Sequence, residues 1–252
     1  MDWEVQTRCI ASEWFYPADQ PMSRLPRWEY HAHSNFSDGS ASIVEVIATA
    51  RDRGMERLIF TEHTEPDLTS GPGWFAHYAD TIRTLRWAVA DELEVIIGLE
   101  VPLIDFTGRL LASEEMLRTS EFILGAVHAY PGYGWDLTEI EPERAIDLEF
   151  RGLLALADHP MIDAIAHPGG VCTRYVTPFP MELFEEVVIR AKVQGKAIEL
   201  NPAYHQPMAP FLEICRRHGV WLSPGSNAHH LDDIGLAYQV LRATPPPNES
   251  MI

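Results

Sequence analysis

A repeated alternation constrains this chain more than any single motif. Seven short apolar runs of four to seven residues are separated mostly by segments of helix length. The runs cover residues 28–33, 57–63, 94–100, 122–128, 162–167, 196–201 and 220–226, and helices are expected near 41–54, 75–92, 141–157, 180–194, 207–218 and 231–242. Residues 105–120 read as a short excursion. Strand followed by crossover helix, repeated, predicts an α/β fold with a parallel sheet. The length of 252 residues and the regular repeat favour closure into a TIM-like barrel of seven strands in a single domain, with an open doubly wound sheet as the alternative. Pro17, Pro21 and Pro26 break residues 1–27 into an irregular arm, whose Trp3, Trp14, Phe15 and Tyr16 offer contact area against the body. The barrel is expected over 28–244, and Pro245-Pro246-Pro247 opens a flexible tail over 245–252.

Histidines and one acid fall at the ends of these runs. His31 and His33 close the first, and residues two apart on a strand aim to the same side. Asp38 follows in a turn with Gly39. His63 ends the second run, Glu100 the third, His128 the fourth and His167 the fifth, and His229 lies just past the seventh. In a parallel barrel those C-terminal ends converge on one mouth, where the chemistry of such folds is placed. Core histidines scattered for packing would have no reason to choose one end of every strand. His77, His159 and His218 read as surface residues, and His230 as pointing away from the mouth. His205, after the sixth run, is expected at the mouth as a substrate contact.

Charge narrows the partners. The net charge is −18, from 37 acids against 19 bases. Such an excess repels nucleic acid, so a long polyanionic substrate is disfavoured. A small anion remains compatible, because bound cations dominate their local field. Cys9, Cys172 and Cys215 are odd in number and lack metal or disulfide spacing, which predicts reduced thiols in the cytoplasm. No secretory leader and no membrane span are expected, since acids interrupt the N-terminus and no run of 18 apolar residues occurs.

The motifs in order are His31-Ala32-His33-Ser34, Ser37-Asp38-Gly39, Thr61-Glu62-His63-Thr64, Gly98-Leu99-Glu100, His128, Ala166-His167-Pro168-Gly169 and Ser226-Asn227-Ala228-His229. This series resembles the PHP (polymerase and histidinol phosphatase) family of metallohydrolases, over about residues 29 to 230. The resemblance implies a distorted (β/α)7 barrel with two or three divalent ions (Zn, Mn or Fe) at its C-terminal mouth. It implies a first metal on His31, His33 and Glu100, completed by Asn227, and a second on His128 and His167, bridged through Glu100. A third would lie on Asp38, His63 and His229. Imidazole and carboxylate ligands suit those metals. Asn227 stands where the family usually has aspartate; an amide oxygen can coordinate but brings no charge. Three divalent ions carry ~+6, and Asp38 with Glu100 leave ~+4, an excess that favours a dianionic phosphate ester.

The expected reaction is hydrolysis of a small phosphomonoester, of histidinol-phosphate or nucleotide type, by a metal-bridging hydroxide with no protein nucleophile. Arg174 is the candidate phosphate clamp, because a guanidinium fork matches phosphate oxygens. Cys172 in the same loop lacks a base partner and reads as a small loop residue. Trp74 and Phe75 either line a substrate pocket or pack in the core. Two other function classes remain open. Asn227 is compatible with a non-catalytic or regulatory metal-binding module, and similar barrels host amidohydrolase-like cleavage of C–N or C–O bonds.

Overall fold

Alternate positions along the strands face two different cores, and that division places the site. The computed structural model describes residues 11–245. Its strands are β1 (Tyr16–Pro17), β2 (Trp28–Ala32), β3 (Arg57–His63), β4 (Glu94–Pro102), β5 (Phe122–Ala126), β6 (Ala164–Ile165), β7 (Ala197–Glu199) and β8 (Trp221–Ser223). They form one sheet in the order β1-β8-β7-β6-β5-β4-β3-β2. Pairs from β2 to β8 are parallel, and β1 pairs antiparallel with β8. The expected seven strands are therefore present in sequence order, but among the described residues the sheet has eight. The two-residue β1 escaped the sequence reading because Pro17 argues against any strand there.

The sheet curls until β2 approaches the segment after β8. Tyr30 N–H donates to Pro224 O at 3.0 Å, Ala228 N–H to His31 O at 2.9 Å, and His33 N–H to Ala228 O at 2.9 Å. These bonds replace a regular ladder, and they bring the chain's first and last site residues side by side.

The inner core holds Phe15, Tyr30, Ile59, Ile96, Phe122, Leu124, Ala126, Ala164, Ala166 and Ala197. Phe15 comes from the arm and packs on Tyr30 and Phe122, with ring centroids 6.2 Å away in both cases. Trp3 and Cys9, and the tail after Pro245, lie outside the described residues. The outer core fills the layer between sheet and helices, with Leu58, Phe60, Val95, Ile97, Leu99 and Ile123 from the strands. Burial on both faces explains why the strands read as near-continuous apolar runs instead of alternating ones.

Helices follow where caps and apolar periodicity coincide. Ser42 caps the helix Ile43–Asp52, with Glu45 completing a reciprocal capping box. Three short helices among the described residues were not expected: Ala11–Trp14 in the arm, Glu114–Thr119 inside the excursion, and Gly170–Tyr175 directly after β6. No helix among the described residues is long and apolar enough to cross a membrane.

Candidate metal centre

Strand parity aims the site residues. Ile59 faces the inner core, so Thr61 and His63 follow on the same side of β3. Ile96 does the same for Glu100 on β4, and Ala126 for His128 beyond β5. The pairing of β2 with β3 slips between Glu29 and Ala32, and above that slip His31 and His33 both face Glu100. His167 breaks the parity. Ala164 and Ala166 already point inward, so an extended His167 would face away. Its φ of 23° is left-handed and turns the ring back to the mouth.

All of these side chains converge on Glu100. Its Oε1 lies 3.0 Å from both His128 Nε2 and His167 Nε2. Its Oε2 lies 3.2 Å from His31 Nε2, 3.3 Å from His63 Nδ1 and 3.7 Å from His33 Nε2. Beside this hub, Asp38 Oδ1 lies 3.5 Å from His63 Nε2 and 3.2 Å from His229 Nε2. The ligand atoms form four overlapping groups: His31, His33, Glu100; Glu100, His128, His167; His33, Asp38, His63, His229; and His63, Glu65, His128. Each group keeps its ligand atoms within 4.8 Å of one another.

This donor set fits divalent cations. Glu100 Oε2 is fully buried yet accepts no hydrogen bond among the described residues, and His31 Nε2 faces His33 Nε2 at 3.0 Å. Imidazole nitrogens and a buried carboxylate oxygen gathered this closely are what a shared cation resolves, its binding displacing any proton they hold. Nitrogen and carboxylate oxygen together suit zinc, manganese or iron rather than calcium.

Charges inside the cluster are mutually dependent. Burial opposes a positive His31, but Glu100 and Glu199 outweigh it and push its pKa up to about 10. Burial, joined by His63 and His229, drives His33 well below the ordinary imidazole value. Glu100 is also opposed by burial, yet His31 and His128 hold it well below the usual carboxylate range.

Four carboxylates escaped the sequence reading. Glu199 Oε1 meets His31 Nδ1 at 2.6 Å, and Glu65 Oε1 meets His128 Nδ1 at 2.6 Å. Each holds the far nitrogen of a candidate ligand and thereby leaves the near nitrogen free for a cation. Glu62 binds Ser34 and Ser37 in the loop carrying Asp38, while Glu29 binds Ser226 and the backbone of His31 and Gly235. Burial pushes both Glu29 and Glu62 up to about 7 against these bonds. Glu199 was marked by position: it follows Ala197 on the inner side of β7 and ends its strand.

The PHP domain profile matches residues 29–203. The chain belongs to the PHP domain family. Among relatives of this PHP domain is a probable phosphatase of Acetivibrio thermocellus, 28% identical over 230 residues and covering 87% of each chain. Another probable phosphatase, from Caldicellulosiruptor bescii, is 25% identical over 216 residues, covering 82% of this chain and 81% of the relative. In fold, the PHP domain is similar to the histidinol phosphate phosphatase of Lactococcus lactis solved with zinc, L-histidinol and phosphate. That likeness has a TM-score of 0.68 at 22% identity and covers 85% of this chain and 90% of the other.

The rim of the PHP domain's mouth completes the site. Asn227 Oδ1 lies 3.1 Å from His33 Nε2, and its φ of 52° is a left-handed conformation that asparagine tolerates. Arg174 is exposed and donates to the Tyr204 hydroxyl at 3.4 Å. Tyr204, absent from the sequence reading, lies over the His167 ring with centroids 4.6 Å apart. Burial and the Glu100 charge push its phenol up to about 12. His205 is 2% exposed; one ring nitrogen accepts from Asn201 N–H at 3.0 Å and the other faces Pro168 O at 3.1 Å. Both nitrogens are thus engaged by backbone, so His205 braces the loops behind His167 and offers no free atom to a substrate. Cys172 is buried, donates to Thr177 O, and has its thiol pushed up to about 11 by burial and Glu149, which leaves it unreactive. Trp74 and Phe75 pack in the outer core against Tyr78 and also line a cleft of about 420 Å³ with Thr64, Pro66 and Met116.

Proposed function

We propose that this protein is a metal-dependent phosphoesterase acting on a small phosphomonoester, using two or three divalent transition-metal ions. The observation that carries the reading is Glu100: one fully buried carboxylate faced by His31, His63, His128 and His167 at 3.0–3.3 Å. A carboxylate so shared is built to bridge cations. The ligands in this reading are His31, His33, Glu100 and Asn227 for one ion, Glu100, His128 and His167 for a second, and Asp38, His63 and His229 for a third. When bound, such ions activate water at neutral pH and neutralise phosphoryl charge.

The chain's own groups supply the rest. Arg174 offers a guanidinium fork to phosphate oxygens at the rim. Glu199 and Glu65 keep His31 and His128 oriented. A cleft of about 280 Å³ opens beside His128, lined by Glu65, Leu103, Ile104, Tyr130 and Trp135, with room for the organic part of a small ester. A net charge of −18 works against long polyanions, leaving a small phosphorylated metabolite as the substrate in a cytoplasmic setting. The names of the Acetivibrio and Lactococcus relatives support the same reaction class.

The test is a panel of phosphomonoesters assayed with Mn²⁺ or Zn²⁺, next to His128→Ala. Phosphate release that disappears in the variant supports the proposal. A protein that loads metal and turns over only amides or lactones refutes it. Asn227 favours one second reading, a metal-binding module without turnover, because its amide brings no charge to the first ion. That reading predicts no turnover by the wild type and turnover after Asn227→Asp.

A further inference from the structure

We propose that Tyr204 is a substrate-contacting hydrogen-bond donor and that the amide of Asn227 sets the direction in which its hydroxyl donates. The inference rests on the phosphoesterase reading for what the donor meets, a phosphoryl oxygen.

Two donors already point at the phenolic oxygen. Asn227 Nδ2 lies 3.4 Å from the Tyr204 hydroxyl, and Arg174 Nη1 also lies 3.4 Å from it. Neither group can accept a proton from the phenol there: a guanidinium has no acceptor, and an amide nitrogen has none. Among the described residues no carboxylate or carbonyl is bonded to that hydroxyl. The two N–H donors occupy the oxygen's acceptor directions, and the O–H hydrogen is left for a group outside the protein.

The orientation of the Asn227 amide follows from chemistry. Its Oδ1 shares the neighbourhood of His33 Nε2 at 3.1 Å, where ligand lone pairs gather. A coordinating amide must present oxygen to that point, because its nitrogen has no lone pair to offer. The NH₂ group is thereby directed to Tyr204. An aspartate in this position would present a second oxygen instead, and the phenol would donate to it. The proton would then be held inside the protein, turned from the mouth. Asparagine and aspartate thus differ here by more than one unit of charge: they reverse the hydrogen bond.

Packing holds the phenol in place. Its ring lies against His167, and a Cβ on Gly170 would meet Tyr204 Cδ1 at 2.9 Å, so only glycine allows this close approach. Arg174 also covers the ring, its guanidinium carbon 5.7 Å from the centroid. The hydroxyl therefore stands between the Arg174 guanidinium and the metal ligands, where a phosphoryl oxygen would be bound.

The test is a four-way comparison of wild type, Tyr204→Phe, Asn227→Asp and the double variant, each loaded with Mn²⁺. Metal content, calorimetric affinity for inorganic phosphate, and kcat/KM on a phosphomonoester are measured. Tyr204→Phe is expected to weaken phosphate binding and kcat/KM about tenfold, the value of one hydrogen bond to a charged group, with metal content unchanged. Asn227→Asp is expected to give a similar loss in phosphate affinity while retaining or raising metal content. Adding Tyr204→Phe to it is expected to cost nothing more. Equal effects of Tyr204→Phe in both backgrounds, or no effect in either, would overturn the proposal. A wild type that binds metal and phosphate but cleaves no ester refutes the phosphoesterase reading alone; the phosphate affinities decide the role of Tyr204 in either case.

Discussion

Glu199 ties two candidate ligands together. Its Oε1 lies 2.6 Å from His31 Nδ1, and its Oε2 accepts the backbone N–H of His167 at 2.6 Å. One carboxylate therefore orients a ring on β2 and supports the left-handed turn after β6. A Cβ on Gly225 would lie 2.0 Å from Glu199 Oε1, so that glycine is required for the carboxylate to reach His31. Glu199→Gln has only one oxygen to offer two N–H groups. We expect its affinity for Zn²⁺ or Mn²⁺ to fall ~10- to 100-fold, read by chelator competition. Unchanged metal affinity in this variant would mean that His31 needs no such support.

Metal loading should dominate thermal stability. Several imidazoles and acids are packed at hydrogen-bonding distance around Glu100, and a cation that binds only the folded state raises its melting temperature by mass action. Stripping with a chelator is expected to lower Tm by about 10 °C, and re-addition of Zn²⁺ or Mn²⁺ to restore it in a concentration-dependent way. A scanning calorimetry trace that ignores the chelator would argue against an occupied centre.

Glu149 predicts a pH dependence away from the ligands. It is buried and accepts from the Tyr130 hydroxyl and the Cys172 backbone N–H, both at 2.6 Å. Burial outweighs these bonds and pushes its carboxyl up to about 7 from 4.5. The folded state therefore binds the proton more tightly than the unfolded chain. Its contribution is full below pH ~4.5 and is lost as pH rises through ~7, on the order of 3 kcal/mol in all. Glu149→Gln cannot ionise, so its stability relative to the wild type should increase between pH 5 and 8 in denaturant titrations. A difference that stays flat over that interval would contradict the assignment.

His205→Ala separates bracing from binding. Removing the ring leaves Asn201 N–H and Pro168 O without their partners. The expected cost is about 2 kcal/mol in urea unfolding. Loss of phosphate affinity without loss of stability would instead restore His205 to the substrate contacts.

Much of the candidate site was legible in the primary structure. Two-residue spacing alone puts His31 and His33 on one side of a strand, and the recurrence of His63, Glu100, His128 and His167 at strand ends points to one mouth. The parallel order of β2 to β8 realises that expectation through crossovers that contain helices. Glu65 and Tyr204 were not legible, because nothing local distinguishes them from a loop acid and a loop aromatic.

Composition and spacing by themselves determined the alternating fold, the acidic charge and the shared side of His31 and His33, since these depend on near neighbours in the chain. Tertiary structure alone decided which carboxylate meets which imidazole. His31 and Glu199 are 168 residues apart, and only the curl of the sheet brings them together. It also decided that His167 turns inward through a left-handed backbone and that Asn227 offers its N–H to Tyr204. Hydrogen bonds depend on ångström-scale distance and direction, and a linear sequence specifies neither until packing has closed the chain on itself.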